Sequence, residues 1–156
     1  MIYVFDTSSL VVLKNFYPNN FPTLWEQWNS LVAEGTVVSV REVKEELANR
    51  SDSDVIDQWA KKHKSIFLLP SPKETEFVRN IFSVSHFQAL VSQQSIWKGT
   101  PVADPFVIAA AAVRSGTVVT EESLKPNAAK IPNVCQHFGV HCINLEGFMN
   151  QQDWSF

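Results

Sequence analysis

Four acidic positions stand where short apolar runs meet helical patterns, and carboxylates so placed can do chemistry. Asp6 directly follows the apolar run Met1–Phe5. Glu42 and Glu46 lie four apart on the helical pattern after Thr36–Val40, so they share one face. Asp104 precedes the small-residue segment that begins at Pro105, and Glu121 and Glu122 follow Thr117–Thr120. Brought together, three or four carboxylates cannot all stay ionised, because like charges at contact distance raise one another's pKa. Mg²⁺ or Mn²⁺ would resolve the conflict, being hard ions that prefer oxygen ligands. Such ions lower the pKa of bound water and stabilise charge developing on a phosphoryl group.

Convergence of these acids requires elements that end on one edge. Met1–Phe5, Thr36–Val40, Ile66–Leu69, Thr117–Thr120 and His141–Leu145 are short, β-rich candidate strands. Between them, Leu24, Trp28, Leu31 and Val32 keep helical spacing between Pro22 and Gly35. Ser39 and Glu42 form a candidate capping box opening Arg41–Ala48. Further helical faces run through Val55–Ala60, Phe77–Phe82, Phe87–Val91 before Trp97, Pro105–Ser115 and Pro132–Phe138. The alternation predicts an α/β fold: a three-layer α/β/α sandwich on a central parallel sheet of four or five strands. In a parallel sheet the loops after strands one, two and four open on one edge, where ligands gather.

Residues 1–156 read as one domain, long enough to bury a core without staples. With 45% hydrophobic and 19% charged residues, disorder and a charged coiled coil are excluded. No apolar run approaches a membrane span, and Asp6 interrupts any signal-peptide core, so no membrane association is expected. Two cysteines make no disulfide framework, which points to the cytoplasm. The net charge of −3 argues against binding through general phosphate contacts, unless cations offset it locally.

Four segments, FDTSSL at the amino end, Val43–Leu47, ADPFVIAAA and GTVVTEE, taken in order, resemble a PIN domain. The KIPNVCQHFGV segment resembles an uncharacterised bacterial PIN-like subgroup. PIN domains are metal-dependent nucleases that include the VapC toxins of toxin–antitoxin pairs. The resemblance implies Asp6 as first metal ligand, Ser8 as the small polar residue beside it, Glu46 as second acid and Asp104 as third. Glu122 matches the fourth acid, usually Asp in that family, and Glu121 competes with it for the place. It further implies an RNA substrate, Mg²⁺ or Mn²⁺ as cofactor and a cognate antitoxin as partner. Asp6 and Asp104 would hold the principal ion, with Glu46 and Glu122 tuning it or holding a second.

Other readings stay open beside this one. Asp104 is also a good N-cap for the following helix, and Glu42 and Glu45 fit an ordinary solvated helix face. Cys135, His137, His141 and Cys142 do not match paired zinc-ligand spacings; buried cysteines and surface histidines are the better account. Lys61, Lys62 and Lys64 read as a solvated helix end, whereas Lys125 and Lys130 are better placed for a phosphate at the rim of the site. Trp154 and Phe156 fit either boundary packing or an apolar patch for a second copy or an inhibitory partner. Against the nuclease stand a catalytically silent PIN-like module that binds RNA or a partner, and a phosphatase of the HAD type. The latter wants a second Asp two residues after Asp6, where Ser8 stands.

Overall fold

A computed structural model describes residues 1–50, 54–91 and 102–156, so Trp97 lies outside the described residues. Five parallel strands, β1 (Tyr3–Phe5), β2 (Val37–Val40), β3 (Phe67–Leu68), β4 (Thr117–Val119) and β5 (His141–Ile143), form one sheet in the order β3-β2-β1-β4-β5. All are shorter than their apolar runs, because side chains at the run ends are spent on loops and helix starts. The helices are α1 (Thr7–Val12), α2 (Pro22–Glu34), α3 (Arg41–Ala48), α4 (Val55–Lys62), α5 (Pro72–Ser83), α6 (Asp104–Val113), α7 (Ile131–Phe138) and α8 (Leu145–Gln151). Periodicity did not reveal α1 and α8: each starts within two residues of a strand end and is too short to display a helical repeat. The expected helix through Phe87 and Leu90 is a 3₁₀ turn, Ser85–Leu90.

The sheet is covered on both faces. Strand alternation turns Tyr3 and Phe5 to one side and Val4 to the other. Phe5 meets Trp28 of α2 and Phe148 of α8 edge-on, with ring centroids 4.9 and 5.0 Å away. On the other face α6 lies against β1, β2 and β4, and α5 packs outside it. Val107 to Ala111 of α6 are wholly buried, and the run of alanines lets this helix approach the strands closely. Burying the side chains of one such central helix stabilises by several kcal/mol at about 25 cal/mol per Å² of apolar surface. Gly35 and Gly139 end α2 and α7 in left-handed geometry, at φ 79° and 69°, which only glycine adopts without strain.

Two local expectations fail for physical reasons. Ser39 does not cap α3; it is buried, and its hydroxyl donates to the Phe5 carbonyl at 2.7 Å, tying β2 to β1. The capping box sits instead at Ser71 and Glu74, opening α5. Glu42 is not on a solvated face: it is 1% exposed and reaches the partly exposed Arg41 guanidinium at 2.9 Å, whereas Glu45 is half-exposed.

Trp154 is boundary packing, seated against Phe148 at 5.5 Å, while Phe156 beside it stays 56% exposed. Lys61, Lys62 and Lys64 are solvated, and His63 among them stacks on Trp59. Among the described residues no helix is long and apolar enough to cross a membrane.

Candidate metal centre

The strand order reverses direction between β1 and β4, and the crevice beyond the carboxyl ends of such neighbours is where open α/β sheets take ligands. Register brings Phe5 opposite Val119, so Asp6 and Thr120 emerge side by side. Asp6 is 4% exposed, and its Oδ2 accepts hydrogen bonds from Ser8 Oγ and Thr120 Oγ1, both at 2.9 Å. Ser8 Oγ also lies 3.2 Å from Thr120 Oγ1 and accepts the Glu121 amide at 2.9 Å. Burial pushes the Asp6 carboxyl above its ordinary range, and these hydroxyls with the Thr7 and Ser8 amides pull it part of the way back.

Glu46 comes from the α3 turn that faces α1. Its Oε2 accepts Thr7 Oγ1 at 2.5 Å and its Oε1 accepts the Ala103 amide at 3.2 Å, so it ties three elements together. Burial raises its pKa, the two hydrogen bonds oppose, and the charges of Asp6 and Glu122 raise it further. Glu122 accepts the Ile131 amide at 3.1 Å, at the start of α7, while its own amide donates to Thr120 Oγ1 at 3.2 Å. Burial raises it too, and Asp6 adds to that.

The Asp104 carboxyl is pushed up to about 8 by burial, then by Asp6, Glu122 and Glu46, with Lys130 opposing. It does not cap its helix. The cap position is Ala103, in helical geometry and with no side-chain cap bond, and Asp104 is the first helical residue. A capping side chain accepts the amide of the second or third helical residue, and the Val107 amide is taken by the Ala103 carbonyl at 3.0 Å. The N-cap alternative is thereby corrected, and its carboxyl is left to the other acids.

The structure therefore brings together Asp6, Glu46, Asp104 and Glu122, one from each of four segments. Glu121 turns away: its Oε2 accepts Ser9 Oγ at 2.7 Å and the Leu145 amide at 2.9 Å, pinning α1 to α8. Thr7, Ser9 and Thr120 were not expected to take part. Only strand register and the α1–α3 contact reveal them; a threonine just after β4 gives no signal in sequence. Cys135 and Cys142 touch through their thiols, the first pushed up and the second pulled down by that contact, and His137 packs against Phe87 and Phe138 instead.

The donor set suits a hard cation: four desolvated carboxylates, flanked by hydroxyls, of which Glu46, Asp104 and Glu122 are raised further by the charge of their neighbours. Among the described residues no three such groups already stand as a ligand shell. Asp6, Glu46 and Glu122 accept hydroxyls and amides, and the raised pKa of Asp104, about 8, favours its protonated form at neutral pH. A cation held here would have to displace that proton before using the oxygen.

The family described as "Domain of unknown function (DUF4411)" matches this chain over residues 3–156. No curated protein matches it by sequence. In structure it is similar to a chain of VapBC2 from Rickettsia felis bound to a promoter DNA fragment, with a TM-score of 0.55 at 14% identity, covering 92% of this chain and 98% of that one. FitAcB from Neisseria gonorrhoeae gives a TM-score of 0.52 at 14% identity, covering 92% and 97%. At such identity the likeness is one of fold, and the expected PIN-like α/β/α sandwich is the fold observed.

Proposed function

The chain belongs to the DUF4411 family, and from that footing we propose that it is a divalent-metal-dependent endoribonuclease, the toxin of a toxin–antitoxin pair. The observation that carries this reading is the convergence of four acids at the switch point of a PIN-like sheet, with Asp104 held near pH 8 by burial and its neighbours. Asp6 and Asp104 would hold the principal ion, Mg²⁺ or Mn²⁺, with Glu46 and Glu122 beside it. When bound, the ion supplies an acidified water and neutralises charge developing on the phosphoryl oxygens.

The chain's own residues prepare for that chemistry. Ser8 and Thr120 fix the orientation of Asp6, and Thr7 and the Ala103 amide fix Glu46. Lys130 is exposed at the rim and acts on both Asp104 and Glu122, the place from which a cation can meet a phosphate. Because the net charge is −3, RNA is held at this point of contact and through cations rather than by a basic surface. The similar solved chains come from VapBC2 and FitAcB, which supports an antitoxin as this chain's partner.

The deciding experiment incubates the protein with total RNA in Mn²⁺, in Mg²⁺ and in EDTA. Discrete fragments with either ion and none with EDTA are expected. Absence of cleavage, with cation and RNA binding retained in calorimetry, would replace the enzyme by a silent binding module.

A second test separates the two adjacent glutamates. Glu122→Gln is expected to weaken cation binding by about tenfold or more. Glu121→Ala leaves cation binding within about twofold but loses hydrogen bonds to Ser9 and Leu145, costing about 1 kcal/mol, or roughly 2–4 °C in Tm. Calorimetry and thermal melts of both variants check this; equal loss of affinity in the two would mean that Glu121 also serves the ion.

A further inference from the structure

We propose that the cleft between the 3₁₀ turn Ser85–Leu90 and the outer face of α7 is a nucleotide subsite that seats one base of a single-stranded RNA. The inference rests on the nuclease reading and deepens it, since it names where the substrate lies beside the carboxylates. The cleft holds about 450 Å³, within the range of small-ligand sites, and His86, Phe87, Asn127, Asn133, Gln136 and His137 line it.

Its lining has the chemistry of base recognition. His86 and His137 are exposed imidazoles. Phe87 is buried between them, its ring centroid 5.8 Å from His86 and 5.1 Å from His137, so a core ring holds both in place. Unstacked bases lie against rings of this kind. Asn133 Nδ2 donates to the Lys125 carbonyl at 2.6 Å, while its Oδ1 is buried without a partner among the described residues. A buried acceptor left so costs free energy, and the exocyclic amine of a base would satisfy it once the Asn133 side chain turns toward the cleft. Gln136 and Asn127 add two exposed side-chain amides.

Helix geometry connects this cleft to the acids. Asn133, Gln136 and His137 are spaced i, i+3, i+4 and share one face of α7, while Ile131, Val134 and Cys135 are buried on the other. The same helix begins at Ile131, whose amide donates to Glu122, with Lys130 just before it. Lys130 and Asn133 are about 4.5 Å apart along the helix axis. A strand whose phosphate lies at the acids would pass Lys130, meet Asn133 within one turn and meet His137 about 10 Å from Lys130 along the helix axis.

The test is a titration of the ¹⁵N-labelled full chain in EDTA with AMP and with CMP, followed by NMR, with ribose 5-phosphate as the probe lacking a base. Saturable shifts of the His86 and His137 imidazoles and the Asn133 amide are expected with the nucleotides and not with ribose 5-phosphate. His137→Ala should weaken that binding about tenfold, toward the low end of what stacking contributes per base. His86→Ala, on another element, serves as the second variant should a melt show that the first disturbs the fold. No shifts at millimolar nucleotide, or equal shifts with ribose 5-phosphate, overturn the subsite. Because EDTA excludes cleavage, nucleotide shifts from a protein that never cuts RNA would fail the nuclease and keep the subsite. On a cleaved RNA, His137→Ala should raise KM about tenfold and leave kcat within about twofold. Unchanged KM with intact folding counts against the subsite while the nuclease stands.

Discussion

Asp104→Asn is expected to abolish metal-dependent RNA cleavage and, in the same protein, to raise the melting temperature of the metal-free state. Loss of a principal ion ligand removes several kcal/mol of transition-state stabilisation, a fall of at least about a hundredfold in rate. The gain in stability has a separate cause. The Asp104 carboxyl titrates at 3.8 in an ordinary setting and about 8 in the fold. Between those values the native state binds more protons than the unfolded chain, so stability falls as pH rises. The favourable contribution is full below about pH 4 and is lost as pH passes through about 8. Asparagine does not titrate. Its advantage over the wild type should therefore be nil near pH 4 and reach on the order of 10 °C in Tm at pH 9. Melts of both proteins in EDTA from pH 4 to 9 check the slope. A lower Tm for the variant throughout would mean that the carboxylate supports the helix start instead. Asp6→Asn should share the loss of cleavage, since Asp6 lies at the centre of the same cluster.

Cation binding to the wild type should release close to one proton per ion at pH 7 and raise Tm markedly. At that pH Asp104, titrating near 8, is mostly protonated, and an ion can use its oxygen only after the proton leaves. Affinity should therefore climb up to about tenfold per pH unit between pH 6 and 8 and level off beyond. At an ion concentration about a hundred times Kd the native state gains about 2.7 kcal/mol, or roughly 5–10 °C in Tm for a chain of this size. Calorimetry in buffers of different ionisation enthalpy counts the protons. A pH-independent affinity, or no shift in Tm with saturating Mn²⁺, would sink the assignment of Asp104 as a ligand.

Several features were legible in the residues. MIYVF stopping at Asp6, TVVT followed by acids and the alanine run after Asp104 are local patterns, and periodicity reads them because burial on both faces of a parallel sheet demands continuous apolar runs. Asp6, Asp104 and the adjacent Glu121 and Glu122 stand out the same way, as charges at the ends of such runs, whereas the choice of Glu46 over Glu42, and of Glu122 over Glu121, rests on the resemblance to a PIN domain. What failed depended on partners distant in sequence. Ser39 with Glu42 looks like a capping box, but the Phe5 carbonyl across the sheet takes the serine hydroxyl. Glu42 looks solvated, yet α3 turns it inward.

The sequence by itself determined the strand–helix alternation and the α/β class, and it marked the candidate acids, because hydrophobic burial and strand ends are written in consecutive residues. Tertiary structure alone decided which acids face one another. Glu121 and Glu122 are equivalent as adjacent letters; β4 register and the starts of α7 and α8 send one to Leu145 and the other to the cluster. It also decided that Asp104 carries a proton near neutral pH, since desolvation and three neighbouring charges arise only when segments separated by up to 116 residues along the chain are packed together.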